Sequence, residues 1–399
     1  MTPPALAGLR VIAFELAAAG PMATLLLADM GAEVIKIERP GAGDSIRSWD
    51  TVAKGLSSGF VWLNRRKRSV ALDVSTPGGR EAMLRLIDSA DVFVTNYGPG
   101  VADRLGFGYD AVAKRNARLI YCSLTGYGLD GPYRDEKAFD LLIQGEAGVI
   151  LATGYPDRPA KVSVPISDIA AGMYSALGVM IALYQREKTG VGQLIDIAMF
   201  DSMLSWLGYF PHHYWHAGEE PERVGMRHHY MVPYGPYLAR DGKYVNLASA
   251  SGALWESFCT NVIERPDLLT DPRFAAAPLR RASRTALEQI VEDIFLTRDS
   301  ADWLARLRAH RIPCGEVRGM AETLAHPQVA ARRLIREVES PVGPLPTIES
   351  PLRLSNSPIA TGPLQALGQD TEKVLREVGY DDAGLAELRR QNAIPGDGA

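Results

Sequence analysis

The sequence has few of the features that mark several large classes of protein. It has only three cysteines among 399 residues, Cys122, Cys259 and Cys314, and they lack the spacing of a metal or redox motif. We therefore expect reduced thiols, no disulfides and no metal site, as in a cytoplasmic protein. The 43 basic and 47 acidic residues nearly balance, so no global positive field is available for nucleic acid or an anionic membrane.

Long hydrophobic runs are also scarce. The N-terminal segment lacks a basic region ahead of its apolar residues, which argues against a secretory signal. The one apolar run that approaches the length of a membrane span covers residues 169–185, and it is rich in glycine and alanine. We predict that it is a core helix, buried on all sides, and that the protein has no membrane partner.

The glycine fingerprint of dinucleotide-binding proteins is missing. After the first predicted strand, Arg10–Phe14, the turn reads ELAAAG rather than GxGxxG, which disfavours a nicotinamide-dependent dehydrogenase. What the first 200 residues do contain is a repeated alternation of short apolar strands with helices. This pattern predicts an α/β fold with a parallel sheet.

Length and composition predict more than one domain. A chain of 399 residues with 46% hydrophobic content is larger than one core usually requires. The alternation stops near residue 200, and a polar, aromatic segment follows, with a hairpin signal at Asp241-Gly242. We predict a large domain over residues 1–200 and 324–399, a linker over 201–224 and a smaller α+β domain over 225–323.

Asp168, at the start of the central apolar helix, is the first candidate reactive group. It follows a β-branched, proline-containing stretch and precedes the uncharged run. One interpretation is an N-cap whose oxygens accept the free N–H groups of the first turn. The other is a reactive carboxylate held at the positive end of a helix beside an apolar cavity. The local sequence leaves both open.

Five stretches resemble the class III CoA-transferase family, which includes formyl-CoA transferase, carnitine CoA-transferase and the α-methylacyl-CoA racemases. They occur in order at the expected separations and read GLRVIAFELAAAGPMATLLLADMGAEVIKIERPGAGDSIR, LNRRKRSVALDVSTPGGRE, VFVTNYGPGVADRLGFGYD, LIYCSLTGYGLDGPY and ISDIAAGMYSALG. The resemblance implies a Rossmann-like large domain whose parallel sheet is built from both chain ends, plus a smaller α+β domain. It also implies a homodimer of two interlocked rings.

The resemblance further implies roles for individual residues. Asp168 matches the nucleophile, which would attack an acyl-CoA thioester to give a mixed anhydride and then an aspartyl-CoA thioester. Coenzyme A would enter as the acyl-CoA substrate, with no cofactor bound permanently. The implied CoA contacts are Ala17, Ala18, Ala19, Arg39, Leu72, Asn96, Tyr97, Arg104 and Lys137.

Each implied contact has an ordinary alternative. The cations would equally suit a solvated surface, and Asn96 would equally suit a turn. The basic run RRKR, at residues 65–68, is interpreted as a solvated turn ahead of a strand and is left out of the site.

Two other functions stay open beside CoA transfer. Family racemases place a histidine after the GYG and GPY motifs, and this chain has none between Gly126 and Tyr155, so racemisation would lack its base. Asp140, in the same region, is either a second catalytic carboxylate or a helix cap. A CoA-binding protein without turnover would keep the cations and need no reactive carboxylate.

The stretch RVGMRHHYMVPYGPY resembles members that act on dicarboxylic acids of four to six carbons, such as mesaconate, succinate, citramalate or itaconate. Arg227, His228 and His229 would then bind the second carboxylate, because a buried charge needs a cationic partner. The alternative is that they hold a hairpin in place. The segment ASASGA, at residues 248–253, is the nearest analogue of the glycine lid of the family.

Overall fold

A computed structural model describes residues 2–396 of the chain, which divides into two compact units. The first unit contains the residues up to 149, residues 162–208 and those from 330 onwards. The second contains residues 150–161 and 209–329. The first unit therefore takes its chain from both sides of the second.

The first unit is built on a six-stranded parallel sheet. Its strands are β1 (Arg10–Phe14), β2 (Glu33–Glu38), β3 (Lys67–Ala71), β4 (Val92–Thr95), β5 (Ile120–Thr125) and β6 (Leu194–Ala198). Their spatial order is β3-β2-β1-β4-β5-β6, and every pairing is parallel. The predicted α/β fold is confirmed. The order reverses between β1 and β4, and open α/β sheets bind ligands at the carboxyl ends of strands at such a point.

Helices lie on both faces of this sheet because the strands bury alternate residues on opposite sides. Ile12 belongs to a core cluster with Met83 of the helix Pro77–Asp88, whereas Val11 belongs to a cluster with Val179 of the helix Ile166–Thr189. The helices of this unit are Ala19–Asp29, Ser58–Asn64, Pro77–Asp88, Val101–Leu105, Tyr109–Val112, Asp140–Glu146, Ile166–Thr189, Met199–Trp206, Thr371–Glu377 and Asp382–Arg390, with a 3-10 turn at Ser45–Ser48.

The prediction that both chain ends build the sheet is wrong for the strands. All six strands come from the N-terminal half. In the C-terminal segment, Ile335–Val338 and Leu345–Ile348 pair with each other, and their partly exposed pattern differs from that of a buried parallel strand. This segment instead adds two helices, whose residues Val374 and Leu385 join the core on one face of the sheet.

The helix Ile166–Thr189 is exposed along one side, contrary to the prediction that it is buried all round. Its small residues, such as Ala170, Ala176 and Ala182, face inward. Five large apolar residues spaced along one face are exposed, and we call them the apolar stripe: Met173, Leu177, Met180, Ile181 and Tyr184. Among the described residues this is the one helix long and apolar enough to cross a membrane, but its inner side packs within the unit.

The second unit has its own sheet and core. Strands β7 (Tyr234–Leu238), β8 (Tyr244–Ala248) and β9 (Cys314–Glu316) form an antiparallel sheet in the order β9-β8-β7. The predicted hairpin at Asp241-Gly242 is confirmed, and Gly242 supplies the positive φ of its turn. A buried cluster that includes Phe258, Phe295 and Trp303 fills the core.

The helical segments of the second unit are short. They are Phe210–Ala217, Gly252–Ser257, Ala277–Ala282, Arg284–Phe295, Ser300–Ala309 and Met320–Leu324, with a π turn at Phe258–Val262 and a 3-10 turn at Pro266–Leu269. A two-residue strand pair joins Gly154–Tyr155 to Arg158–Pro159. Two further short helices, Val149–Ala152 and Pro327–Ala331, lie where the chain passes from one unit to the other in sequence.

The basic run RRKR, at residues 65–68, continues into β3, and Arg65 and Lys67 are buried, so its interpretation as a solvated turn is wrong. Arg65 lies 2.8 Å from the carboxylate of Asp29, to which Arg66 also binds, and Lys67 donates to Glu15 at 2.8 Å. Buried cations persist only when opposite charges neutralise them. Their acidic partners come from distant positions in the chain, which local sequence does not show.

Candidate active site

Asp168 is the third residue of the helix Ile166–Thr189 and does not cap it. The N-cap is Pro165, which makes no side-chain capping hydrogen bond. Within residues 2–396, no side-chain or backbone group donates a hydrogen bond to the Asp168 carboxylate. Burial, and to a lesser degree the negative charge of Asp140, raises the pKa of Asp168 to about 7. The geometry therefore lacks the contacts of a helix cap.

The helix that carries Asp168 packs closely against the helix Ala19–Asp29. Residues four apart lie on one face of a helix, so Asp168 and Gly172 share a face. A Cβ atom on Gly172 would lie 2.8 Å from the carbonyl oxygen of Ala19 and 2.7 Å from Cβ of Met22. Only glycine permits this approach. The helix face that carries Asp168 is thus the one that packs against the start of the helix Ala19–Asp29.

The loop at residues 16–19 is fixed by two side chains. The amide of Asn96 accepts from the Leu16 N–H at 2.7 Å and donates to the Leu16 carbonyl at 2.9 Å. The carboxylate of Asp44 accepts from the Ala17 N–H at 3.0 Å. These contacts hold Ala17 at a φ of +57°, which a non-glycine residue rarely adopts. Asn96, predicted as a CoA contact, has its amide engaged in shaping the loop.

A buried set of charges lies behind this loop. The Nζ of Lys36 lies 2.8 Å from Asp44 and 3.3 Å from Glu15, which also binds Lys67. Burial alone would raise the pKa of Glu15, but the two lysines outweigh it and hold that pKa below its usual value. Burial lowers the pKa of Lys67 to about 8. Sequence reasoning missed this set, although a lysine inside the apolar strand EVIKIE was an available signal.

A cavity of about 370 Å³ opens at the carboxyl ends of β1 to β4. Its walls include Phe14, Leu72, Tyr97 and Leu105, and Arg39 contributes to its lining. The ring of Tyr97 stacks on that of Phe14 with 4.0 Å between centroids, and burial raises the pKa of Tyr97 to about 12. The structure thus brings together Arg39, Leu72 and Tyr97 at the switch point of the sheet.

The two remaining predicted cations are exposed. Arg104 is on the helix Val101–Leu105, whose terminal residues line the same cavity, and in the described chain it forms no ion pair. Lys137 lies in the loop that precedes the helix Asp140–Glu146 and does not line the cavity. The structure leaves both side chains accessible.

Asp140 holds the segment that leads to Asp168. One carboxylate oxygen accepts from the Ser167 N–H at 2.8 Å, and the other accepts from the Gln144 amide at 2.8 Å. Its carbonyl accepts from the Ser167 hydroxyl at 3.2 Å. Asp140 is the first residue of its own helix, but no side chain caps that helix. Asp140 therefore binds the first turn of the helix that carries Asp168 and does not cap its own helix.

Two of the three residues predicted to bind a dicarboxylate are engaged inside the second unit. The guanidinium of Arg227 lies 2.5 Å from Glu288 and stacks over the ring of Tyr237 at 3.9 Å. The Nδ1 of His228 accepts from the backbone N–H of Tyr230 at 3.1 Å. These contacts are those of the alternative in which the residues hold a hairpin in place.

The third residue, His229, lines a cavity of about 730 Å³ in the second unit. His213, Tyr230 and Arg281 also contribute to its lining, together with three glutamates from the segment at residues 219–222. Burial lowers the pKa of His229, which favours a neutral ring. The cavity therefore combines groups of both charges.

The structure is an α/β protein with a cavity at the topological switch point of its sheet and a carboxylate of raised pKa, Asp168, at the start of a long helix. Residues 6–371 match the model of CoA-transferase family III. The chain is 38% identical over 330 residues to the acetyl-CoA:oxalate CoA-transferase of Acetobacter aceti, covering 82% of this chain and 84% of the relative. It is 36% identical over 388 residues to the succinyl-CoA:mesaconate CoA-transferase of Haloarcula hispanica, covering 94% and 96%.

Solved structures agree with this assignment. The crystal structure of a CaiB/BaiF family protein from Brucella suis superposes with a TM-score of 0.84 at 34% identity, covering 95% of this chain and all of that one. The chain belongs to CoA-transferase family III, as the sequence motifs predicted. It is a CoA-transferase, an enzyme that uses CoA thioesters as substrates.

Proposed function

We propose that the enzyme moves CoA from an acyl-CoA to a dicarboxylic acid of four to six carbons, with Asp168 as the nucleophile. The observation that carries the proposal is the partly buried Asp168 carboxylate, which makes no capping hydrogen bond and whose helix face packs against the start of the helix Ala19–Asp29. The named acceptors of the two relatives, oxalate and mesaconate, are dicarboxylates and support the substrate class. Both intermolecular transfer and transfer between two carboxyls of one ester use the same chemistry.

The reaction exchanges one thioester for another. A carboxylate oxygen of Asp168 attacks the thioester carbonyl carbon, and the C–S bond breaks to give a mixed anhydride and CoA thiolate. The thiolate attacks the aspartyl carbonyl and expels the donor acid, which leaves an aspartyl-CoA thioester. The acceptor carboxylate then attacks the carbonyl of that thioester and expels CoA thiolate, which gives a second mixed anhydride. The thiolate attacks the acceptor carbonyl of this anhydride, forms the new acyl-CoA and releases the Asp168 carboxylate. Burial protects both activated intermediates from water.

The cavity at the carboxyl ends of β1 to β4 is the proposed adenosine site. Leu72 and Tyr97 offer apolar surfaces to the adenine ring, and Arg39 and Arg104 offer guanidinium groups to the phosphates. Lys137 is a further phosphate contact on an accessible loop. The backbone of residues 17–19 would then follow the pantetheine arm towards Asp168.

For the second carboxylate of the acceptor, His229 is the candidate contact that stays open. It lines a cavity and also bonds the backbone of Glu222, whereas Arg227 and His228 do not line that cavity and bind neighbouring protein groups. A cation or hydrogen-bond donor at that carboxylate would offset its desolvation.

We also propose that the enzyme is a cytoplasmic homodimer of interlocked subunits. The apolar stripe supports the dimer, because exposed contiguous apolar surface on a soluble chain typically marks an interface. A second copy is the proposed occupant. Three free cysteines, two of them buried, support a reducing compartment.

Trapping of the acyl-enzyme tests the proposed chemistry. The protein would be incubated with succinyl-CoA and then with hydroxylamine, which converts an aspartyl thioester to a hydroxamate detectable by peptide mass spectrometry. We expect the hydroxamate on Asp168, and its loss together with transfer in Asp168→Ala while CoA still binds. Asp201→Ala is the matched control, because Asp201 is likewise the third residue of a helix, Met199–Trp206. Retained transfer in Asp168→Ala would exclude Asp168 as nucleophile.

A further inference from the structure

Gln144 is a buried amide with a full set of hydrogen bonds. It lies in the helix Asp140–Glu146 and is 0% exposed. Its Nε2 donates to Asp140 at 2.8 Å and to the Val162 carbonyl at 3.2 Å, while its Oε1 accepts from the Val162 N–H at 2.9 Å. An amide buried without such partners would be destabilising, by about 1–3 kcal/mol. The burial of Gln144 therefore depends on its hydrogen bonds to Asp140 and Val162.

Gln144 and Asp140 together hold both ends of one short segment. The two residues are four apart on one helix face, so their side chains lie side by side. Gln144 binds the backbone of Val162, and Asp140 binds the N–H of Ser167. The segment between these two points leads directly into Asp168. One turn of helix thus fixes the approach of the chain to the candidate nucleophile.

We propose that Gln144 is a positioning residue for CoA transfer, acting through Asp140 and the segment at residues 162–167. This inference rests on the proposed role of Asp168 as nucleophile. Donation from Nε2 occupies one oxygen of Asp140 and leaves the other aimed at the Ser167 N–H. Without that donor the Asp140 carboxylate is free to rotate, which releases the first turn of the helix and shifts a negative charge near Asp168. Gln144 itself touches no substrate.

The isosteric variant Gln144→Glu separates positioning from bulk packing. A protonated glutamic acid still donates to Asp140, whereas the ionised form presents a second carboxylate to it. We expect kcat for succinyl-CoA turnover to fall at least tenfold at pH 8, with KM for succinyl-CoA changed less than twofold. The ratio of the wild-type kcat to the variant kcat should become smaller towards pH 6. Gln185→Glu, at an exposed site on the helix Ile166–Thr189, is the matched control and should behave as wild type at every pH.

The outcomes are distinct. A deficit that is the same at every pH, a parallel rise in KM, or wild-type rates throughout would overturn the inference. Should Gln144→Glu fail to fold, Gln144→Met decides: a lower kcat with unchanged KM supports positioning, and any other result refutes it. Hydroxamate formed on Asp168 in the wild type, together with a normal Gln144→Glu enzyme, would refute this inference alone. Absence of the hydroxamate in the wild type would refute the proposed function, and this inference with it.

Discussion

The reactivity of Asp168 depends on its ionisation, because only the carboxylate form can attack a thioester. Burial first, and the charge of Asp140 second, raises its pKa to about 7. Below that pH the folded enzyme carries a proton on Asp168, the proposed nucleophile. We therefore expect kcat/KM for acyl-CoA to fall about tenfold per pH unit on the acid side of pH 7 and to level off above it.

The pH profile of the Asp140→Asn variant tests whether the fall in kcat/KM below pH 7 arises from protonation of Asp168. Removing the neighbouring negative charge makes ionisation of Asp168 easier, so the fall in kcat/KM should begin at a lower pH. The change should be smaller than the full rise in the pKa of Asp168, because burial is the larger cause of that rise. Initial rates between pH 5 and 9, with enzyme stability verified at each pH, measure both profiles. A wild-type rate that stays constant from pH 5 to 7 would show that Asp168 has an ordinary pKa or is not the nucleophile.

The position of Asp168 at a helix start could be predicted from the sequence, but the sequence could not show that Asp168 does not cap that helix. The local pattern allowed both interpretations, and the choice depends on backbone angles that place Pro165 at the N-cap. Arg39, Leu72 and Tyr97 could be grouped because each follows a parallel strand, and such strand ends converge at one edge. Contacts across long sequence separations, such as Asn96 with Leu16, had no local signal.

At the scale of the element, the helix Ile166–Thr189 is positioned by its small residues. Gly172 packs against the helix Ala19–Asp29, and an added methyl group would meet the Ala19 carbonyl oxygen at 2.8 Å. We expect Gly172→Ala to displace the Asp168 end of the helix and reduce kcat at least tenfold, with a loss of stability of about 1–3 kcal/mol. Steady-state kinetics and urea unfolding measure the two effects.

Gly178→Ala is the control for this prediction, because it adds the same methyl group to the same helix. There the new atom would meet only a methyl group of the Ile195 side chain, at 3.1 Å, which can adjust. Its effect on kcat should be small. Equal losses in both variants would indicate general damage to the helix rather than movement of Asp168.

The helix itself could be predicted from its unbroken apolar composition, whereas its exposed side could not. An apolar residue is compatible with a core or with an interface, and sequence alone does not separate them. After β6 the chain forms two helices, Met199–Trp206 and Phe210–Ala217, with Gly208 at a positive φ between them. A glycine inside an apolar pattern was the available signal for that break.

At the scale of the whole molecule, the N-terminal alternation of strands and helices was sufficient to predict the parallel sheet, because each unit is local. The C-terminal contribution was harder to predict. The segment after residue 330 pairs its two strands with each other, and its helices reach the sheet through contacts with residues more than 250 positions away, such as Ala71 with Thr371. Return of the chain to its first unit is a long-range property that no short motif encodes.

The apolar stripe gives a prediction for the assembled enzyme. Ile181 is 60% exposed near its centre, and burying it against a second copy would remove apolar surface from water. We expect the wild type to be a dimer, and Ile181→Arg to yield monomer or aggregate, because a buried unpaired charge is strongly unfavourable. Gln289→Arg, which places the same side chain at an exposed polar position on a different helix, Arg284–Phe295, should remain dimeric.

Mass photometry at nanomolar concentration measures the assembly and also tests the interlocking. Two subunits threaded through each other cannot separate without unfolding, so the wild-type dimer should persist on dilution, whereas a surface dimer of ordinary affinity would dissociate. A wild-type monomer would contradict the whole arrangement. A dimer that dissociates on dilution would exclude the interlocked form but would remain compatible with an interface at the apolar stripe. A normal Ile181→Arg dimer would show that the interface lies elsewhere.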